Sequence, residues 1–247
     1  MIYGLVGLAF VVVSLGLMLG LAVLQRKSPP TFREIPAFTR LKEAIGRAVE
    51  DGSRLHVSLG RGGLVSPQSI PALAGLSALR RMADLTSASD RPPIATSGET
   101  GIAILSQDTL LAVHESAATG APYDATAGRL TGLPPFSYAA GVLPVVRDEN
   151  VSANVMMGNF GVEVGLVTDL SERQDVFTLA ASDSLPAQAV IYASAGEPLI
   201  GEELYAVGAY LESGPLHRSS LKVQDLLRWG LIVFMLVGAI LKLLGVL

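Results

Sequence analysis

"LHVSLGRGGLVSP", Leu55 to Pro67, is the stretch whose reading decides the fold. Leu55–Leu59 is a short apolar run of the kind a buried strand shows, Gly60–Gly63 is a glycine-rich turn, and Ser66-Pro67 opens a helix. Nucleotide-binding proteins place a phosphate cradle at such a junction, so the stretch either holds an anion or only turns the chain. Working outward, the same rhythm recurs. A helix near Pro67 to Leu85 follows this run, "PPIATSG" is followed by a helix from Glu99 to about Thr119, "SANVMMGNFG" by one from Val162 to Gln174, and "DVFTLAASDS" by one starting near Leu185. Strands alternating with helices predict an α/β fold: a Rossmann-like parallel sheet with helices on both faces. Ala121–Asn150 interrupts the rhythm with several Pro and Gly and reads as an excursion plus one helix. "EPLIGEELYAVGAYLES" reads as a last helix. Ahead of the sheet, "AFTRLKEAIGRAVEDG" sets Phe38, Leu41, Ile45 and Val49 on one helical face and stops at Gly52; it packs on the domain or, alternatively, lies on a membrane surface.

Half of the 247 residues are hydrophobic and only 16% are charged, a balance that membrane segments readily supply. Ile2 to Leu24 is uncharged, and at about 1.5 Å per residue it can cross a hydrocarbon core of roughly 30 Å. A cleaved signal peptide is the rival reading, but the run has no basic residue before it and no small-x-small site before Gln25. A second apolar run starts at about Leu226, with Trp229 suited to an interface and Lys242 able to snorkel. The chain is thus expected to divide into a transmembrane helix over 1–25, a linker over 26–36, a cytoplasmic Rossmann-like α/β domain over 37–221, and a second transmembrane helix over 222–247. Arg26, Lys27 and Arg33 follow the first span, and Arg218, Lys222 and Arg228 flank the second. The positive-inside rule then places the central domain in the cytoplasm and both termini outside, in the inner (plasma) membrane. The absence of cysteine excludes disulfides and thiolate chemistry. No basic stripe points to nucleic acid, and the basic clusters sit where membrane lipid explains them.

In a sheet of this kind ligands bind beyond the carboxyl ends of the strands. The sequence places there Gly60, Arg61, Gly62 and Gly63; Ser97 and Gly98; Gly158 and Asn159; and Ser182 and Asp183. These are the candidate contacts for a small anionic or nucleotide-like ligand, with Arg61 as counter-charge. The motifs are incomplete: "GRGGLVSP" lacks the full G-x-G-x-x-G, and no G-x-x-x-x-G-K-[ST] occurs. The competing reading is that these glycines serve tight turns and close strand–helix packing. No catalytic residue is assigned. G-x-S-x-G is absent, and Ser97 and Ser182 are as natural as helix caps as they are as nucleophiles. His56 falls inside the first strand, where a satisfied buried imidazole is expected. His114 lacks the second histidine of H-E-x-x-H, and three scattered histidines without cysteine suggest no metal site. Ser219 to Lys222 has S-x-x-K spacing, but its lysine also supplies a juxtamembrane charge. No cofactor is identified.

Self-association is the better supported expectation. "GIAILSQDTLLAVHESAATG" is apolar around most of its circumference and needs cover on more than one side. Gly16 and Gly20 have G-x-x-x-G spacing, and Gly238 and Gly245 stand one heptad apart, so both spans offer close-packing surfaces. "FREIPAFTRLKEAIGRAVEDGSRLHVSLGRGG" between two spans, together with "SANVMMGNFG", resembles a family of uncharacterised bacterial integral membrane proteins known as a domain of unknown function. That resemblance implies a bacterial two-span membrane protein and carries over no catalytic residue. The sequence thus suggests a membrane-anchored, homo-oligomeric domain with a scaffolding role, possessing at most a small-molecule site. The alternatives are a hydrolase or transferase using Ser97, Ser182 or Asp183, and an accessory subunit of a transporter or secretion complex.

Overall fold

A computed structural model describes residues 2–24, 32–66, 68–89, 91–117 and 122–245. In chain order the elements are α1 (Ile2–Leu24), α2 (Pro36–Glu50), β1 (Arg54–Gly60), α3 (Ser69–Leu85), β2 (Ile94–Ser97), α4 (Thr100–Ala117), β3 (Gly128–Leu130), α5 (Pro135–Asp148), β4 (Val151–Asn159), α6 (Val164–Arg173), β5 (Phe177–Ser182), α7 (Leu185–Ser194), β6 (Glu197–Leu199), α8 (Glu203–Tyr210) and α9 (Pro215–Leu243). They form two compact units: Glu34–Leu211, and Met1–Arg33 with Glu212–Leu247.

The inner unit is an α/β domain on one six-stranded sheet of order β3-β2-β1-β4-β5-β6. Every pair is parallel. The chain winds outward from β1 in one direction and from β4 in the other, so β1 and β4 flank the topological switch point. β1, β2, β4 and β5 are buried over nearly their whole length, as the apolar runs require of strands covered on both faces. Helices lie on both faces. On one, Gly75 of α3 sits so close to the sheet that a Cβ would stand 2.6 Å from the Met157 carbonyl and 2.8 Å from Leu59. On the other, Tyr138, Val142 and Val146 of α5, Val164 and Val167 of α6, and Ala187 and Ile191 of α7 close a core over Met156 and Ala180. Each large side chain buried there contributes on the order of 2 kcal/mol. α2 packs against β1, β4, β5 and β6, and its Phe38 ring stacks on Tyr210 of α8 at 4.6 Å, so α2 is a domain helix.

Several helix starts follow local chemistry. α2, α5, α7 and α9 each carry proline at the first or second position, where the missing N–H costs nothing. Two strands escape the sequence pattern. β3 lies inside the expected Ala121–Asn150 excursion, and β6 precedes α8 in what reads as one helix. Both are three-residue edge strands, one centred on Arg129 and the other on Pro198. Neither offers an apolar run, and proline is tolerated at a sheet edge.

In the other unit, α1 and α9 pack against each other, and Ser14, Leu17, Met18, Leu21 and Ala22 form the more covered face of α1. Both helices are long and apolar enough to cross a membrane. α9 is one continuous helix of 29 residues from Pro215, about 43 Å long and so longer than the hydrocarbon core, and it already includes Ser219, Ser220 and Leu221. Arg26, Lys27 and most of the expected linker lie outside the described residues, as do Pro67 and Thr119.

Candidate functional site

Four strand-to-helix turns meet at the carboxyl edge of the sheet, and they bring the candidate ligand residues together. β1 ends at Gly60 with φ +71°, and a Cβ there would stand 2.5 Å from the Asn159 carbonyl, so glycine is required by both conformation and space. Its carbonyl accepts from the Gly98 N–H at 2.8 Å, and the Arg61 N–H donates to the Asn159 carbonyl at 2.9 Å. A Cβ on Gly158 would collide with the Leu59 backbone. One on Gly98 would collide with the Arg61 side chain and lie 3.0 Å from both the Gly132 carbonyl and the Tyr138 ring. Gly62 is closed off by its own loop, because a Cβ would run into the Gln68 carbonyl. Gly63 is the roomy member of the set, with its nearest neighbours at 3.8 Å.

The polar groups of these turns bind one another. Arg61 Nε donates to Glu163 Oε1 at 3.1 Å, and the Gly161 N–H donates to the same oxygen at 3.0 Å. The Glu163 side chain is only 3% exposed, so the edge holds a buried carboxylate between a guanidinium and a glycine N–H. Asn159 Nδ2 donates to Asp183 Oδ1 at 2.8 Å. Ser182 Oγ accepts from the Phe160 and Ser184 N–H groups, while Ser97 Oγ accepts from the Glu99 N–H and donates to its carbonyl. Glu99 Oε2 in turn accepts from the Ile102 N–H at the start of α4 at 2.8 Å. Both serines are therefore turn residues, and the N-cap position of α7 is Ser184 and not Ser182. Tyr138 reaches under the turns from α5: its OH shares a 2.5 Å bond with Ser58 Oγ and accepts from the Gly60 N–H at 3.2 Å. Burial pushes the Tyr138 phenol up, against the bonds from Ser58, Thr96 and Gly60 that favour its ionised form.

Sequence reasoning missed Glu163, Glu99 and Tyr138. The two glutamates carried a signal, since an acid at the start of a helical stretch is a natural N-terminal residue. Tyr138 carried none, because it enters from an excursion whose strand was not visible.

Behind this edge a buried polar row crosses the sheet. His56 Nδ1 lies 2.8 Å from Asn154 Oδ1, its Nε2 lies 2.8 Å from Thr96 Oγ1, and Asn154 Nδ2 donates to Ser171 Oγ at 2.9 Å. Because the Asn154 oxygen can only accept, Nδ1 carries the proton and Nε2 accepts from Thr96. His56 is fully buried, and that burial lowers its pKa to about 4. The Asn154 bond opposes the shift and the positive charge of Arg129 adds to it. His56 is thus a satisfied neutral core imidazole.

Two cavities open at the opposite edge, where strands begin. One of about 530 Å³ is lined by Arg47, Asp51, Thr168, Glu172, Phe177 and Glu197, and another of about 390 Å³ by Arg54, Pro93, Leu110, Val113 and Tyr123. Among the described residues no group of three or more His, Asp or Glu side chains is placed to hold a metal ion. His114 packs its ring near that of Tyr123 at 5.6 Å. Ser219 Oγ donates to the Pro215 carbonyl, and Lys222 Nζ stands 5.8 Å from the centre of the Phe32 ring, so each member of the S-x-x-K pair has another neighbour.

In the helical unit, Cβ atoms on Gly16, Gly20 and Gly238 would meet nothing within 4 Å, so none of the three lies at the contact between α1 and α9. Gly245 lies past the end of α9 with φ +70°, its N–H bonded to the Lys242 carbonyl, and closes the helix. No curated protein and no solved structure matches the chain. The two apolar helices and the α/β unit between them recur as one family, and the chain belongs to it: the family described as Domain of unknown function (DUF6754), matched over residues 4–247.

Proposed function

We propose that the protein is a membrane-anchored, self-assembling α/β scaffold and not a nucleotide enzyme. In this reading α1 and α9 cross the inner (plasma) membrane of a bacterium and the α/β unit lies on the cytoplasmic side, where Arg33, Arg218, Lys222 and Arg228 supply the positive flank. The observation that carries the reading is that the crevice holds its own anion. A phosphate cradle offers free N–H groups and a free cation. At this edge the N–H groups of Arg61, Gly98, Glu99, Phe160, Gly161 and Ser184 donate to protein oxygens, and Arg61 is paired with the buried Glu163. Self-assembly is supported by Gly16 and Gly20, which lie away from α9 and leave one face of α1 open for close helix approach.

Native mass spectrometry of the full chain extracted in mild detergent tests both halves of the reading. A defined oligomer without added mass is expected. A monomer retaining a nucleotide-sized mass would overturn it and return the search to Gly60–Gly63 and Ser182–Asp183.

A further inference from the structure

The cavity of about 390 Å³ at the edge where strands begin has the size of a small-molecule site and a matching lining, apolar walls with a few polar groups. Leu110 and Val113 of α4 and Ala83 of α3, all buried, supply apolar wall. Tyr123 adds a ring that is fixed in place: its OH donates to the Gln107 carbonyl at 3.0 Å, and the ring stands 5.6 Å from that of His114. Two charged side chains line the same cavity, Arg54 at the start of β1 and Asp124 in the loop before β3. Among the described residues no salt bridge joins them. Arg54 Nη1 donates instead to Glu149 Oε2 at 3.1 Å, and Asp124 Oδ1 accepts from the Thr126 N–H at 2.9 Å and from its hydroxyl at 2.6 Å. Each keeps unused capacity, the guanidinium in its other N–H groups and the carboxylate in Oδ2. The Thr126 bonds hold the Asp124 carboxyl below the usual carboxylate range against partial burial, and the charges of Arg54 and Arg129 add to that, so the acid is ionised with a cation close by.

The charges of the cavity select its ligand. Arg54 and Arg129 share Glu149, so with Asp124 the cations and anions of the group balance. A ligand carrying only a carboxylate would bring its charge against Asp124, and one carrying only an amine would bring its charge against Arg54. A zwitterion answers both: its carboxylate accepts from the unused N–H groups of Arg54, and its ammonium donates to Asp124 Oδ2. Because the two side chains are close together, the two ligand charges must be close as well, as they are when one carbon bears both. Leu110, Val113 and the Tyr123 ring then offer apolar surface to whatever else that carbon carries. We infer that this cavity binds a free α-amino acid with a large apolar side chain, of the leucine or phenylalanine kind. The inference goes beyond the scaffold reading and does not depend on self-assembly.

The test is isothermal titration calorimetry of the full chain in mild detergent with L-leucine and L-phenylalanine, each beside its two single-charge analogues. These are isocaproate and isoamylamine for leucine, and hydrocinnamate and phenethylamine for phenylalanine. Saturable binding of at least one amino acid is expected, with both of its analogues weaker by about tenfold or more, the loss of one charge-assisted contact. Asp124→Asn should weaken binding to a similar extent, because the asparagine oxygen still accepts from Thr126 while the ammonium loses its counter-charge. Val113→Phe, which fills the cavity, should abolish binding, and Glu172→Gln in the other cavity should leave it unchanged. Circular dichroism checks the fold of each variant, and where a variant does not fold the analogue series on the wild-type chain decides. No saturable binding of either amino acid overturns the inference, as does an analogue that binds as tightly as its parent. A folded Asp124→Asn chain that binds like wild type overturns it too. Binding lost in Glu172→Gln would place the ligand in the other cavity and overturn this assignment. None of these outcomes bears on oligomeric state, so failure here leaves the assembly reading to its own test.

Discussion

Acidifying the protein should expose the cost of keeping His56 neutral. The imidazole titrates near 6.5 when free and near 4 in the fold, so between those values the unfolded chain binds a proton that the folded one refuses. The contribution is fully present above about pH 6.5 and is lost as pH falls through 4, with an upper limit of about 3 kcal/mol for this displacement. Between pH 7.5 and 5.0 the same two values give a loss of about 2 kcal/mol. For a chain of this size that corresponds to a fall in Tm of roughly 4–8 °C. Carboxylates titrate over part of the range as well, so the measurement is a comparison with His56→Gln. Glutamine can donate to Asn154 and accept from Thr96 but cannot titrate. Thermal unfolding should be followed by circular dichroism, because Trp229, the single tryptophan, lies in α9 and not in the α/β unit. Wild type should lose several degrees more than His56→Gln on going from pH 7.5 to 5.0, although the variant starts lower. Equal losses in the two proteins would refute the argument that a buried neutral histidine carries this part of the pH dependence.

The edge yields two further predictions. Gly62→Ala should lower stability by about 1–3 kcal/mol, since its Cβ meets the backbone carbonyl of Gln68, which cannot swing aside; Gly63→Ala should stay within about 0.5 kcal/mol because its neighbours are distant. Equal Tm values for the two variants would contradict the geometry, and a fall at Gly62 alone must not be taken for loss of a ligand. Arg61→Ala leaves the buried Glu163 carboxylate short of its cation and should cost about 2–4 kcal/mol, whereas adding Glu163→Gln should recover part of that loss. Strict additivity in that double-mutant cycle would mean the pair does not interact.

Fold class was legible because its signals are local. The runs that became β1, β2, β4 and β5 are each buried and each end in a turn, and proline marks several helix starts. β3 and β6 were illegible because three residues at a sheet edge need little apolar pattern; parallel partners place them. The candidate turns could be read as turns and assigned to one edge by topology alone. What they bind could not be read, since the deciding pairs are distant in sequence: Arg61 with Glu163 is 102 residues apart, and Tyr138 with Gly60 is 78. His56 could be assigned to the core from its strand, but its partners 98 and 40 residues away could not be named.

Pairing the polar groups of the crevice with one another also fixes its loops. The Gly98 N–H to Gly60 carbonyl bond ties the β2 turn to β1, and the Thr131 N–H to Ser97 carbonyl bond ties the β3 loop to β2. Arg61 to Glu163 ties the β1 loop to the turn after β4, and Asn159 to Asp183 ties that turn to β5. A nucleotide site keeps such groups free and leaves its loops to be ordered by the ligand, so part of the binding free energy goes into ordering them. Here the loops order one another before any partner arrives. Val65, Phe136, Val162 and Leu185 are exposed on this fixed frame. The same bonds that pair the polar groups of this edge with one another hold its loops in place without a ligand.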